Sequence, residues 1–424
     1  MFQRNIYFHV EYFINILNKV FDFCKDFITK DTGMNKFDVV AAGHICLDMS
    51  LKFTYTQVKG IEEVFIPGRL INMNGVDFSA GGPVANTGFA ISRLGLSVLP
   101  MANIGCDELG NILSGIAQKE IGTGVTQSSD VTTSYSVVLS LPGVDRIILH
   151  DPAGNNTFTA NHIDYDRLSD ARLLHFGYPP LMERMYQANG IELTSLFERA
   201  KQTGITTSLD MSLPDAESES GRVDWATILV KTLPYVDIFM PSVEEALFML
   251  DKAEYNRVKK AAGSDDFTKH IDMTKIRDLG QRILGMGSAV ALIKCGANGI
   301  YIKTADADRF AAVGRGRPAN IAEWAGQELF RETYVVNDFK SALAGGDTTI
   351  AGFLAAMLEG FSLSDAAKIA CKTGALCCTT FDAISGLMPL SAVYQKTLDE
   401  PARNVVDMGR YGFVFDDNNL VWTK

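Results

Sequence analysis

The sequence predicts an α/β protein with a mostly parallel central sheet, helices on its faces and a small separate β element, and three observations carry that expectation. Apolar runs of strand length alternate with helical stretches over most of the chain. The first of these is a short apolar run that ends at a glycine, as a strand covered on both faces does. Two other segments have strand character with no crossover helix between neighbouring strands, which suits an appendage built from hairpins.

Residues 1–33 are set aside as an N-terminal extension. They are rich in aromatic and aliphatic side chains, but Glu11, Asn15, Asn18, Lys19 and Asp22 interrupt the apolar run, and no small-residue cleavage site follows it. Met34-Asn35-Lys36 would make a natural start, so an artefactual beginning is one reading of this segment. The main domain is expected over residues 34–395. Its first strand starts at Phe37 and ends at Gly43, and Asp48 follows that end, where the ligands of open α/β sheets gather. Short strands are expected within 50–80, broken by Pro67-Gly68. Gly81-Gly82 then precedes a helix with Pro83 at its first position and Gly95 at its end. The glycine pair lets a ligand approach the backbone, and Asn86 on the first turn can bond a hydroxyl.

Residues 97–105 read as a strand and 107–121 as a helix. Residues 132–155 hold a hairpin around Pro142-Gly143, and with 50–80 they are expected to form a small β lid. Strands at 173–177, 206–210, 236–240 and 290–294 then alternate with helices at 191–202, 225–233, 242–250 and 274–284, the rhythm of right-handed βαβ crossovers. The polar stretches 253–272 and 315–327 are expected as surface excursions. Two apolar helices, from Ile350 to Leu358 and from Phe361 through Cys378, precede a tail at 396–424 that packs on or follows the domain.

Composition excludes several classes. Hydrophobic residues make up 47% of the 424, enough for a large core, and 39 basic against 50 acidic residues give a net charge of −11 with no basic run. Nucleic acid is therefore not an expected partner, and neither is integral membrane association. The seven cysteines form no Cys-x-x-Cys pair, which suits free thiols, and the cytoplasm is the expected compartment. No His/Cys cluster with metal-ligand spacing is visible along the chain. No Gly-x-Gly-x-x-Gly turn follows the first strand, which argues against a nicotinamide-dependent oxidoreductase.

The most informative stretch runs from Ser341 to Phe353. Gly345 and Gly346 clear the backbone at the start of a helix whose first N–H groups and positive dipole end suit a phosphoryl group. Asp347 beside them can take a proton from an attacking hydroxyl, or it can be an ordinary helix cap.

Taken in order, Asp48, Gly81-Gly82 with Asn86, Lys294-Cys295-Gly296-Ala297-Asn298-Gly299 and Ala344-Gly345-Gly346-Asp347 followed by Ala351-Gly352-Phe353 resemble the ribokinase-like carbohydrate kinase family over roughly residues 36–390. The resemblance implies a three-layer α/β/α sandwich with a small β lid, and an ATP- and Mg2+-dependent transfer of phosphate to a hydroxyl of a sugar or related small molecule. It makes Asp347 the general base and the backbone of Ala344, Gly345, Gly346 and Asp347 an anion hole. Asp48, Gly81, Gly82 and Asn86 would hold the substrate, and Ser242, Lys294, Gly296 and Gly299 would border the nucleotide.

Where members carry Asn-x-x-Glu this chain has Ser242-Val243-Glu244-Glu245. That gives Glu245 a water-mediated role near magnesium, alongside a capping box with Ser242. Members often carry Asp-Thr-Thr where this chain has Ser341-Ala342-Leu343, so a monovalent cation is not expected. Ala344 stands where the family has glycine, which is tolerable only if its backbone avoids positive φ or accepts some strain. Arg146, His150 and Asn155 lie in or after the hairpin as candidate substrate contacts, and the exposed edge of a lid invites a homodimer. The alternative to an enzyme is a catalytically silent sugar- or nucleotide-binding regulatory protein on the same fold.

Overall fold

The computed structural model describes residues 36–424 except Thr56, Asp145, Arg146, Asp265, Asp266, Thr268, Ile271, Ala383, Glu400, Pro401 and Ala402. The expectations for residues 1–33 and for Arg146 lie outside the described residues.

In chain order the strands and longer helices are β1 (Phe37–Gly43), β2 (Cys46–Phe53), β3 (Met73–Gly81), α1 (Pro83–Arg93), β4 (Val98–Gly105), α2 (Glu108–Ile121), β5 (Val125–Ser128), β6 (Tyr135–Leu139), β7 (Ile147–Asp151), β8 (Ala171–Gly177), α3 (Glu183–Gln202), β9 (Thr206–Asp210), α4 (Trp225–Thr232), β10 (Ile238–Phe239), α5 (Val243–Leu250), α6 (Lys252–Ala262) and α7 (Met273–Gly285). There follow β11 (Val290–Lys294), β12 (Ile300–Thr304), β13 (Glu328–Arg331), α8 (Gly345–Leu358), α9 (Leu363–Cys377), α10 (Leu390–Asp399), β14 (Val414–Asp416) and β15 (Val421–Thr423).

Among the described residues the central sheet has 11 strands in the order β14-β15-β13-β12-β11-β10-β9-β8-β1-β4-β5. Every pairing from β5 across to β11 is parallel, and those from β11 to β14 are antiparallel. Side chains on a strand alternate between faces, and β1 shows the result. Val40 and Ala42 pack into one apolar cluster with Phe197 of α3, Leu229 of α4 and Ile283 of α7. Val39 and Ala41 pack into a second with Val84 of α1, Leu113 of α2, Phe353 of α8 and Ile369 of α9. Helices cover both faces, so the expected three layers are present.

The lid is a separate four-stranded sheet in the order β3-β2-β6-β7, in which β2 and β6 run parallel and the other neighbours antiparallel. It starts earlier than residue 50, because Gly43, at φ +113°, turns the chain out of the central sheet and straight into β2. Asp48 is therefore inside a lid strand and not in a loop after β1. A buried amide latches the two sheets: Asn155 accepts from the Ile45 N–H at 3.3 Å and donates to the Ile45 carbonyl at 2.9 Å.

Two surface excursions are corrected. The stretch 253–272 contains α6, whose Tyr255 and Val258 are buried while its lysines face water, an amphipathic pattern masked by its polar composition. In 315–327 Trp324 is buried, and the Arg315 guanidinium donates to the carbonyls of Leu168 and Ala171. Strand β10 is shorter than expected, and α3 starts eight residues before Ile191 across a non-helical break at Gln187 to Gly190. The tail supplies β14 and β15, and β15 pairs with β13 at the antiparallel edge of the central sheet.

Candidate active site

Parallel sheets collect ligands outside the carboxyl ends of their strands. Here those ends deliver Tyr178 after β8, Asp210 at the end of β9, Glu245 in the helix after β10 and Lys294 at the end of β11. Helix α8 brings Asp347 to the same place. That residue is 2% exposed. Asn86 Nδ2 donates to Asp347 Oδ2 at 3.0 Å, and the Tyr178 hydroxyl lies 2.9 Å from Oδ1 and 3.0 Å from Oδ2. Asn86 can do this because it sits on the first turn of α1, the helix packed against α8. Tyr178 can do it because its backbone is left-handed, at φ 62° and ψ 42°, which turns the ring back over the strand ends.

The turn before α8 has a backbone cost. Ala344 is left-handed, at φ 55° and ψ 15°, a conformation that disfavours a Cβ by about 1–2 kcal/mol. The alanine therefore does not avoid positive φ; the turn holds it there. Gly345 and Gly346 have no such backbone demand, and a Cβ on either would meet its nearest neighbour at 3.7 Å, an ordinary contact. Nothing inside the protein requires glycine at these two positions. Both face a cavity of about 540 Å³, whose wall also includes Lys294, Gly296, Gly299, Tyr334, Phe339 and Cys378. The Gly345 N–H bonds to Ala342 O, and the first intrahelical bond runs from Thr348 N to Ala344 O. The N–H groups of Gly346 and Asp347 precede that bond and point along the helix axis toward the cavity end.

Lys294, Gly296 and Gly299 thus border the cavity, whereas Ser242 stands outside its lining. Ser242 caps α5: its hydroxyl accepts from the Glu245 N–H at 3.2 Å, and Glu245 Oε2 accepts from the Ser242 N–H at 2.6 Å. A backbone bridge joins Ser242 to Lys294. Gly299 is needed for packing, since at φ +132° a Cβ would fall 2.0 Å from the Arg331 carbonyl.

Charge is unbalanced in this cluster. Lys294 Nζ pairs with Asp210 Oδ1 at 2.6 Å, the aspartate buried and the lysine side chain 12% exposed at the cavity wall. Burial alone would lower the Lys294 pKa, but the carboxylates of Asp210 and Glu245 prevail and raise it. Burial raises Asp347 above the usual carboxylate range, against the opposing pull of Lys294 and the hydrogen bonds from Asn86 and Tyr178. Burial likewise raises Asp210, with Lys294 opposing and Asp347 adding to the rise. Glu245 is pushed up to about 8, first by burial and then by Asp210, despite Lys294. Three acids thus face one lysine in a desolvated pocket.

A consequence can be measured. A carboxyl whose folded pKa lies above its unfolded value contributes stability that is complete below about pH 4.3 and is lost as pH rises through the folded value. Glu245→Gln keeps the cap and removes the acid. In the ligand-free protein it should match the parent near pH 4 and exceed it by on the order of a few kcal/mol at pH 9. Urea unfolding at both pH values checks this, and equal midpoints at pH 9 would show that Glu245 ionises freely.

On the lid side, Asp48 is largely buried. A Cβ at Gly81 would fall 2.2 Å from Asp48 Oδ2, so glycine there makes room for the carboxylate. Gly82, at φ +84°, could carry no Cβ without meeting His44 Nδ1 and the His44 carbonyl, each at 2.6 Å. The His44 ring in turn lies 6.1 Å from that of Tyr178 and 5.2 Å from that of His150. One continuous wall therefore runs from Asp48 through His150, His44 and Tyr178 to Asp347. The motif spacing pointed to Asp48, Asn86, Lys294 and Asp347, but it passed over Tyr178, Asp210 and His44. Asp210 had a weak signal, an acid at the end of a buried strand; Tyr178 and His44 had none.

A model of the family described as pfkB family carbohydrate kinase matches residues 39–389. Among curated proteins the chain is similar to an uncharacterized sugar kinase of Archaeoglobus fulgidus, 24% identical over 298 residues that cover 70% of this chain and 97% of that one. It is also similar to fructokinase-1 of Zea mays, 26% identical over 42% of this chain and 56% of that one. Among solved structures, a fructokinase with bound ATP from Xylella fastidiosa superposes with a TM-score of 0.60 at 19% identity, covering 86% of this chain and 99% of that one. An E. coli protein provisionally named ribokinase II, in complex with ATP and Mg2+, gives 0.61 at 18% identity with the same coverage. At such identities the superpositions show the fold, which is ribokinase-like.

Proposed function

The chain belongs to the pfkB family of carbohydrate kinases, and on that premise we propose that it transfers the γ-phosphoryl group of ATP to a hydroxyl of a sugar or sugar-like molecule. The observation that carries the reading is the placement of Asp347. A buried carboxylate, held by Asn86 and Tyr178, stands at the head of a helix whose bare glycine turn walls a cavity of about 540 Å³.

In this reading Asp347 takes the proton of the acceptor hydroxyl, and its raised pKa makes it a stronger base once ionised. The N–H groups at the start of α8, those of Gly346 and Asp347 foremost, face the charge that develops on the transferred group. Asp48 and Asn86 orient the acceptor from the lid and from α1, with Gly81 giving room to Asp48 and Gly82 to the neighbouring His44. The cavity takes the nucleotide. Its Ile300, Tyr334, Val335 and Phe339 suit an adenine ring, and Lys294, Gly296 and Gly299 also line it. Ser242 contributes at one remove, by capping α5 and holding Glu245.

Magnesium fits the donor set. Asp210 and Asp347 are buried and Glu245 is partly buried; all three have raised pKa values, and among the described residues Lys294 is the cation set against them, which is the charge deficit a divalent cation fills. Glu245 would hold it through water, and the ion would neutralise charge on the phosphates. The E. coli neighbour that carries ATP and Mg2+ supports the same pairing.

Purified protein incubated with Mg-ATP and a panel of sugars, sugar acids and nucleosides should release ADP in an acceptor-dependent manner, well above basal hydrolysis. Binding of ATP and a sugar by calorimetry, with no ADP from any acceptor, would replace the kinase by a silent binding protein.

A further inference from the structure

Three side chains that are unremarkable in sequence meet at the base of the lid. His44 follows β1, Cys46 opens β2 and His150 lies near the end of β7, and one donor atom from each lies within 4.8 Å of the others. Sheet register explains the meeting. Asp48, Ser136 and His150 are direct cross-strand partners on β2, β6 and β7, and Cys46, two residues before Asp48, projects from the same face. His44 reaches them from the core side.

The two imidazoles have the spacing of neighbours in a coordination shell, and the Cys46 thiol lies within 4.8 Å of both. His44 Nε2 and His150 Nε2 are 3.3 Å apart, and a tetrahedral zinc ion with nitrogens at about 2.0–2.1 Å separates them by roughly 3.3–3.4 Å. Cys46 Sγ lies 3.3 Å from Asp48 Oδ1 and 3.6 Å from Ser136 Oγ. The other nitrogen of His150 is 3.1 Å from Ser136 Oγ, the kind of outer contact that fixes the tautomer and orientation of a ligating imidazole. Two imidazole nitrogens facing each other cannot both present lone pairs, so one proton or one cation lies between them.

We propose that His44, Cys46 and His150 form a binding site for a borderline-soft transition-metal ion such as zinc, with a water in the fourth position. Sulfur and imidazole donors select such ions over magnesium, so this site is chemically separate from the acids around Lys294. Binding converts the Cys46 thiol to a metal-bound thiolate and releases its proton to solvent. The ion would join two lid strands to the segment leaving β1, and it would stand beside the acid assigned to the acceptor. The site is independent of the kinase reading.

Cobalt(II) serves as the probe, titrated into the metal-free full-length protein. Tetrahedral d–d bands and a thiolate-to-cobalt charge-transfer band should grow to about one equivalent per chain. Zinc should bleach them and millimolar magnesium should not. Cys46→Ser should abolish the charge-transfer band. His150→Gln should weaken cobalt binding by more than the roughly 10–100-fold that loss of an outer-shell partner costs. Cys106→Ser, at an exposed thiol, should change nothing. Should Cys46→Ser fail to fold by circular dichroism, His150→Gln carries the test, because that side chain is only partly buried on the lid. A charge-transfer band that survives Cys46→Ser, cobalt affinity unchanged in His150→Gln, or no band in the parent protein overturns the proposal.

Discussion

Asp347→Asn should lower turnover with Mg-ATP and the best acceptor by about 10²–10⁴-fold, the usual contribution of a positioned base, while ATP affinity stays nearly unchanged. The amide has the shape of the carboxylate and can still meet the Tyr178 hydroxyl, so the pocket keeps its form and loses only its proton acceptor. The pH profile makes the test specific. Burial raises the Asp347 pKa, so kcat/KM in the parent should fall on the acid side at a pH above the roughly 3.9 of an ordinary aspartate. Residual activity in the variant should lack that limb. Turnover that survives the substitution, or an acid limb that persists in the variant, removes Asp347 from the role of base.

Lys294→Met should destabilise the protein by about 3–5 kcal/mol near pH 7, the range found when one partner of a buried ion pair is removed. Methionine fills much of the lysine volume, so the loss is chiefly of charge. Asp210 loses its 2.6 Å partner, and Asp347 and Glu245 lose the cation nearest to them. The cost should shrink toward pH 5, because the stranded carboxyls can then bind protons. Their folded pKa values lie above the unfolded ones, so their contribution is complete at low pH and is lost as pH rises. Lys294→Met combined with Asp210→Asn should recover part of the loss, with a coupling beyond about 0.5 kcal/mol. Additive losses in urea midpoints would mean that the pair is not energetically linked.

The layered fold was legible because its causes are local in sequence. Continuously apolar runs ending in glycine can only be strands covered on both faces, and the helical runs between them can only be crossovers. What misled was composition taken without periodicity. The lysine-rich segment of α6 reads as a solvated excursion until Tyr255 and Val258 are seen to share a buried face. Asp48 was placed by its distance from β1, but the turn at Gly43 had already moved the chain into the lid.

The motifs pointed to Asp347, Asn86 and Lys294 because glycines beside a helix start, and polar residues at fixed offsets from them, leave a trace in one dimension. Tyr178 left none: a tyrosine after a strand is ordinary until its left-handed backbone turns the hydroxyl onto Asp347. The same holds for His44, Cys46 and His150. His44 and His150 stand 106 residues apart, and no spacing rule connects them.

By itself the sequence determined most of the alternation of strands and helices, the glycine turn before α8 and the acid beside it, since each follows from side-chain periodicity or backbone freedom within a few residues. Only the tertiary structure decided which acids share one lysine, and so which of them burial drives toward the neutral form. It alone decided that two histidines and a thiol converge under the lid. Both outcomes depend on strand register and on desolvation, and those quantities exist only once distant segments have packed together.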